Sequence, residues 1–453
     1  MSVITWLNRL LAPATRPSGL PSVDAASASP QATPSFASAM DHDVPLPKEP
    51  TFSTKQMRNR IFQAFDVGMP VDSRAGLSGR QAEVDQLWDG VVDQNKHGII
   101  FGPRGSGKTS LSRVFGDLAD EARNIVLYQS ASGDTGFVEL MRPYIQDLSG
   151  LFQSMARDPR TATMASQPFS ARDVAMLMTD CVPTPTILIL DEFDRITSEA
   201  AKHEVAGLMK LLSDTRCRVR LLIVGIAANL EDLIEGHPSL RRHLVSIPIG
   251  VISSDDIRAL LEKCAQKAQL AFSDEAVELI VHSATGSPYH LRLFGMHAAL
   301  TAYAEGSNVE ASHVRRGMAN ALVEWSRLNR PAAQLLDDVA STPGADVEAI
   351  VTACAMAAIR VRFSEQELAH TISITTIQTG TDSAARARAT LQVLAPLLLH
   401  SAHDSHLIFH DSLLPQFFML KLCKIAQTVA AASETSADET MAAMIRASLH
   451  HED

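Results

Sequence analysis

Gly102, Gly107, Lys108 and Thr109 sit at the spacing G-x-x-x-x-G-K-[ST] within the stretch FGPRGSGKTS. The chemistry explains the spacing. Glycines let the backbone curl so that several N–H groups aim at one anion. The run Gly102, Pro103, Arg104, Gly105, Ser106, Gly107, Lys108, Thr109 and Ser110 would then wrap the phosphates of a nucleotide. Lys108 would reach the β- and γ-phosphates, and the Thr109 hydroxyl would sit on Mg²⁺. A helix beginning near Lys108 adds its positive dipole end.

A second cluster lies in PTILILDEFDRI, residues 185–196. The apolar run suits a parallel strand buried on both faces. It ends in Asp191-Glu192, at the carboxyl end where a ligand sits. Asp191 would hold Mg²⁺ through its hydration shell, and Glu192 would orient or activate an attacking water. The same acids at the end of an isolated strand would be merely solvated. Their position downstream of the loop favours the functional reading. Asn229 follows another apolar run, RLLIVG. Two readings of it stand: a contact to the γ-phosphate or the attacking water, and a cap for the helix beginning LEDLI. Arg241-Arg242 precede a fifth strand. They read as an arginine finger directed at a neighbouring subunit, or as a solvated basic pair.

These side chains need elements to carry them. His97–Ile100 reads as the strand before the loop and Thr109–Ala122 as the amphipathic helix after it. Helical spacing covers 55–65, 77–94, 135–152, 170–182 and 203–215, and the stretch 154–168 reads as a polar loop. From Ser253 four helical segments follow, ending near Asn329. Beyond them, 346–359, 364–372 and 383–399 read as three helices, and 406–411 as a strand. The expected division is a short helix with a disordered Pro/Ser/Ala tether (1–53), an α/β domain (54–250), a helical lid (251–329), a separate winged-helix-like domain (330–427) and a frayed tail (428–453). The fold class is α/β, with a parallel sheet.

The totals agree with a multidomain protein of 453 residues. A net charge of −11 excludes a global basic field that would draw the chain to nucleic acid or to an anionic membrane. No apolar run is long enough to span a bilayer. Five scattered cysteines, without C-x-x-C, read as thiols in a reducing compartment, and the expected location is cytoplasmic.

In this order the pieces resemble an AAA+ P-loop ATPase, nearest the origin-recognition and archaeal-initiator branch or the bacterial ATPases of transposition and defence loci. The resemblance is closest over 77–329. LSGR with Glu83 matches that family's opening motif, and GIAAN resembles its sensor 1 segment, which gives Asn229 that role. It implies Mg-ATP binding and hydrolysis, a homo-oligomer formed on ATP binding, a finger at Arg241 or Arg242, and a protein client, with DNA as another partner. The family's lid carries Gly-x-x-Arg. Here GSPYHLR puts Tyr289 at that arginine's position and Arg292 one helical turn on, either as its substitute or as a surface residue. STAND-type signalling ATPases are similar too. Their last domain carries a His-Asp pair that contacts bound ADP, and His410-Asp411 resembles it. The alternatives for that pair are a packed histidine and an N-cap aspartate. Residues 331–453 hold fourteen acids against seven basic residues, which disfavours sequence-specific DNA binding by this part of the chain.

Overall fold

The computed structural model describes residues 52–68, 76–133, 135–215, 217–225, 238–341, 346–360, 362–375, 382–400, 405–411 and 413–422. The N-terminal helix and tether, Asn229 and the tail past 422 lie outside them.

Five apolar runs form one parallel sheet: β1 (His97–Phe101), β2 (Ile125–Ser130), β3 (Thr186–Asp191), β4 (Val219–Gly225) and β5 (Leu244–Pro248). Their order across the sheet is β2-β3-β4-β1-β5. Every residue of β3 and β4 is buried, as near-continuous hydrophobic runs require when helices cover both faces. One face packs on Phe137–Leu151, Ala171–Cys181 and Glu199–Asp214, and the other on Gln81–Leu87 and the loop's own helix, Lys108–Glu121. β1 contributes one polar residue to this interior. The Nδ1 of His97 accepts the Leu221 N–H at 2.9 Å, so its Nε2 donates to the Met209 carbonyl at 2.8 Å. Burial holds its pKa down, to about 3.

The stretch 154–168 is not a loop. It holds two short helices, Gln153–Ala156 and Pro159–Ser166. Asp158 caps the second by accepting from the Arg160 N–H at 2.9 Å, and Pro159 opens it. Buried Met155 and Met164 supply the apolar anchors among polar residues.

The lid is Ser254–Ala268, Asp274–Ala284, Pro288–Glu305 and Ala311–Leu328. Ser253, Ser273 and Ser287 cap the first three helices. The helix Phe52–Phe65 belongs with this lid and not with the sheet, because Ile61 and Phe65, one turn apart, bury their side chains in the lid's core.

The last third departs from expectation at one point. The third helix stops at Leu394, a 3₁₀ turn containing Pro396 follows, and residues 398–400 leave as β7 (Leu398–His400). With β6 (Arg362–Ser364) and β8 (His406–Phe409) it makes an antiparallel sheet of order β6-β8-β7. Residues 330–422 also pack against the lid. Val347–Arg360 and the helix at 414–422 share one apolar core with the lid, where Trp325 stacks on Phe417 at 4.9 Å and 12°.

Candidate nucleotide-binding site

Side chains from both modules converge where β1 ends. The turn to the helix Lys108–Glu121 runs through Gly105 at φ 74° and Gly107 at φ 95°, left-handed values that favour glycine. A Cβ on Gly102 would run into the Ile249 carbonyl oxygen. That closeness is fixed by the Ile249 N–H, which donates to the Phe101 carbonyl at 2.7 Å. Arg80, 6% exposed, braces the same place: it pairs with Glu83 at 2.8 Å and donates to the carbonyls of Gly250 and Ser106. The loop is thus tied to the strand that leads into the lid.

A cavity of 260 Å³ opens above the loop. Gly105 to Ser110 form its floor, Leu77, Ser78 and Arg80 one wall, and Leu260, Tyr289 and Arg292 the lid side. Its mixed apolar and polar lining suits a nucleotide. Lys108 donates from Nζ to the carbonyls of Gly102 (2.9 Å) and Pro103 (2.8 Å). Burial lowers its pKa to about 8, against the pull of Asp194 and Asp191.

The acids of β3 stand beside it. Asp191 is 3% exposed; its Oδ1 accepts the Glu192 N–H at 2.7 Å and its Oδ2 accepts the Tyr128 hydroxyl. Burial, and then the bond to this carboxylate, push the Tyr128 phenol well up. The Arg113 guanidinium lies over the Tyr128 ring, 5.2 Å from its centre. Glu192 adopts φ 56°, a left-handed value uncommon for glutamate and frequent at functional sites. One of its oxygens accepts the Ser130 hydroxyl at 2.8 Å, and the other pairs with Arg195 at 2.9 Å. Tyr128 and Ser130 are two apart on β2, hence on one face, and the register sets Ser130 opposite Asp191. Asp194 meets Arg104 at 3.8 Å.

The structure therefore brings together Gly102 through Ser110, Asp191 and Glu192. Arg292 joins the loop at the lid side of the cavity, whereas Arg241, Arg242 and His410 stand elsewhere. Arg241 and Arg242 are exposed on the turn Pro238–His243, at the amino end of β5, while the loop leaves the carboxyl end of the parallel β1. Arg292 borders the cavity, yet donates to the Asp66 carbonyl at 3.1 Å. His410 is exposed and does not line the cavity; its backbone N–H donates to the Leu397 carbonyl. Instead Leu413 reaches the loop: a Cβ on Gly105 would lie 2.8 Å from its Cδ2 and 3.1 Å from Tyr289 Cβ. Asp411 caps that turn, accepting the Leu413 N–H at 3.0 Å. Sequence reasoning missed Tyr128, Ser130, Arg195 and Leu413. The signal available for the first two was a pair of hydroxyl residues spaced two apart at the carboxyl end of a half-buried edge strand.

A parallel sheet with this loop, these acids and a helical lid defines a P-loop ATPase of the STAND/AAA+ type. The chain belongs to the family described as Novel STAND NTPase 1, whose model matches residues 71–434. The ESX-1 secretion system protein EccA1 of Mycobacterium leprae (strain TN) is 24% identical over 196 residues, 43% of this chain and 31% of that protein, so the match spans about a third of that relative. The Walker-type ATPase PABY2304 of Pyrococcus abyssi superposes with a TM-score of 0.51 at 17% identity, covering 78% of this chain and 99% of that one, which is a likeness of fold. The ORC2 protein of Aeropyrum pernix matches at a TM-score of 0.46 and 15% identity over 82% of this chain and 98% of its own.

Proposed function

We propose that the chain binds Mg-ATP in this cavity, hydrolyses it, and passes the nucleotide state to its C-terminal module as a conformational switch. The observation that carries the reading is the meeting of three parts at the P-loop. The loop and Lys108 supply the phosphate cradle, β3 delivers Asp191 and Glu192, and Leu413 of the C-terminal module rests on Gly105.

Thr109 and Asp191 fit the cation, because a hydroxyl and a buried carboxylate are hard oxygen donors of the kind Mg²⁺ takes. Bound there, the ion would neutralise phosphate charge. The chain's own residues do the rest. Backbone N–H groups and Lys108 hold the phosphates, the lid covers the site, and Glu192 orients the water and accepts its proton. Ser130 and Arg195 each take one contact on a different oxygen of Glu192, which leaves each oxygen a further acceptor site for the water.

The partner we favour is a protein, not DNA. Arg386 pairs with Asp346 (2.5 Å) and Glu348 (3.1 Å), and Arg388 with Glu365 (3.1 Å), so the basic residues of the helix Ser383–Leu394 already serve acids of their own module. A second reading, a signalling switch held shut by ADP, draws on the same contact of Leu413 with the loop. In either case the scattered cysteines, without C-x-x-C, suit a reducing, cytoplasmic compartment. Among the described residues no helix is long and apolar enough to cross a membrane.

Glu192→Gln tests the chemistry. It should bind ATP like the wild type and turn it over at least a hundredfold more slowly, in a steady-state phosphate-release assay alongside a binding titration. Turnover near the wild-type rate would remove Glu192 from its assigned role.

A further inference from the structure

We propose that Arg104 is the side chain with which this protein distinguishes a nucleoside triphosphate from a diphosphate. Its guanidinium exchanges Asp194 for the γ-phosphate. The inference rests on the nucleotide-binding reading above and deepens it.

On the lid side the cation at the cavity is Arg292, and Arg104 approaches from the loop. At the lid position where related ATPases carry an arginine, this chain has Tyr289, and burial raises the pKa of that phenol. Arg292, one turn further, donates to the Asp66 carbonyl at 3.1 Å. Arg104 is the third residue of the phosphate loop, between Pro103 and the left-handed Gly105.

Arg104 lies just outside the lining of the cavity, on the side of the acids that follow β3. Arg104 meets Asp194 at 3.8 Å. Asp194 lies beside the carboxyl end of β4, because a Cβ on Gly225 would sit 3.5 Å from its N and 3.6 Å from its Oδ1. The charges of Asp194 and Asp191 act to raise the pKa of Lys108 and that of Arg104 to lower it, so these groups share one electrostatic neighbourhood. Two cations and two acids thus surround the place between the loop and the strand ends.

The Arg104–Asp194 contact is suited to exchange. At 3.8 Å it is long for an ion pair, and the arginine side chain is 54% exposed. Pairs of that kind contribute little to stability. A γ-phosphate offers a planar guanidinium more charge and more acceptors than one carboxylate does. Arg104 also borders the crevice shared with Leu413 and Gln416 of the C-terminal module, so the exchange would be felt where that module meets the loop.

The test is equilibrium binding by the full-length chain with Mg²⁺, using calorimetric titration with ADP and with a non-hydrolysable ATP analogue. Arg104→Ala should weaken the analogue about tenfold and ADP less than twofold, the loss of one charge-assisted contact to the extra phosphate. Arg104→Lys should recover part of the loss, since it keeps the charge but not the fork. A melting temperature and a circular dichroism spectrum like the wild type's certify that the variant is folded. Equal weakening of both ligands would make Arg104 a support of the loop, and no change in either would make it a surface residue; both overturn the proposal. If the wild type binds neither ligand, and Lys108→Ala therefore alters nothing, the nucleotide site itself fails and this inference with it.

Discussion

Lys108 shows what burial does to a functional charge. Its ammonium faces two carbonyl oxygens, and desolvation brings its pKa from 10.5 to about 8. Below pH 8 the free site carries a charged lysine at a desolvation cost; above pH 8 the lysine gives up its proton. A triphosphate favours the charged form, so binding above pH 8 must restore the proton. Affinity should be level below about pH 7 and fall by up to about tenfold per pH unit between pH 8 and 10. Calorimetry at pH 9 in buffers of different ionisation enthalpy should show uptake of close to one proton, and zero uptake would contradict this account. The lysine itself is readable from spacing alone, as are Asp191 and Glu192. Tyr128, Ser130 and Arg195 are not, because what makes them part of the site is that β2 lies beside β3 and that Glu192 turns left-handed. Neither fact is written in local periodicity.

The elements were legible where one period dominates. The all-apolar runs of β3 and β4 and the amphipathic helix Lys108–Glu121 form as expected. Reading fails where a small cap or a proline decides: Asp158 and Pro159 start a helix inside a polar stretch, and Pro396 ends one early. It fails again where a helix's face was legible but its partner was not. Phe52–Phe65 packs on the lid, and the helix at 414–422 packs there too. Trp325 is the test of that shared core, since it stacks on Phe417 and meets Phe418 edge-on at 6.2 Å. Trp325→Ala should cost about 3–5 kcal/mol in chemical denaturation. In hydrogen exchange it should lower protection in Val347–Arg360 as well as in its own helix, Ala311–Leu328. Protection lost from the lid helix alone would mean that the two modules fold as separate units after all.

At the scale of the whole molecule, Arg241 and Arg242 raise a question that one chain cannot answer. They stand at the amino end of β5, whereas the phosphate loop leaves the carboxyl end of β1, its parallel neighbour. At about 3.3 Å per residue, five residues of strand separate the two ends by roughly 16 Å. An arginine on that turn therefore has no phosphate of its own chain within reach. If it serves catalysis, it serves a neighbouring copy. The double variant Arg241→Ala with Arg242→Ala should then lose turnover at least tenfold while keeping its nucleotide affinity, the loss of a transition-state contact and not of a binding one. Mixed with Lys108→Ala, which keeps its arginines but lacks the loop cation, it should regain activity. Each partner supplies in that mixture what the other is missing. Wild-type turnover per chain should rise with protein concentration for the same reason. No recovery on mixing, together with turnover independent of concentration, would leave the pair as surface charge and favour the switch held within a single chain, where Leu413 on Gly105 is the contact that must open.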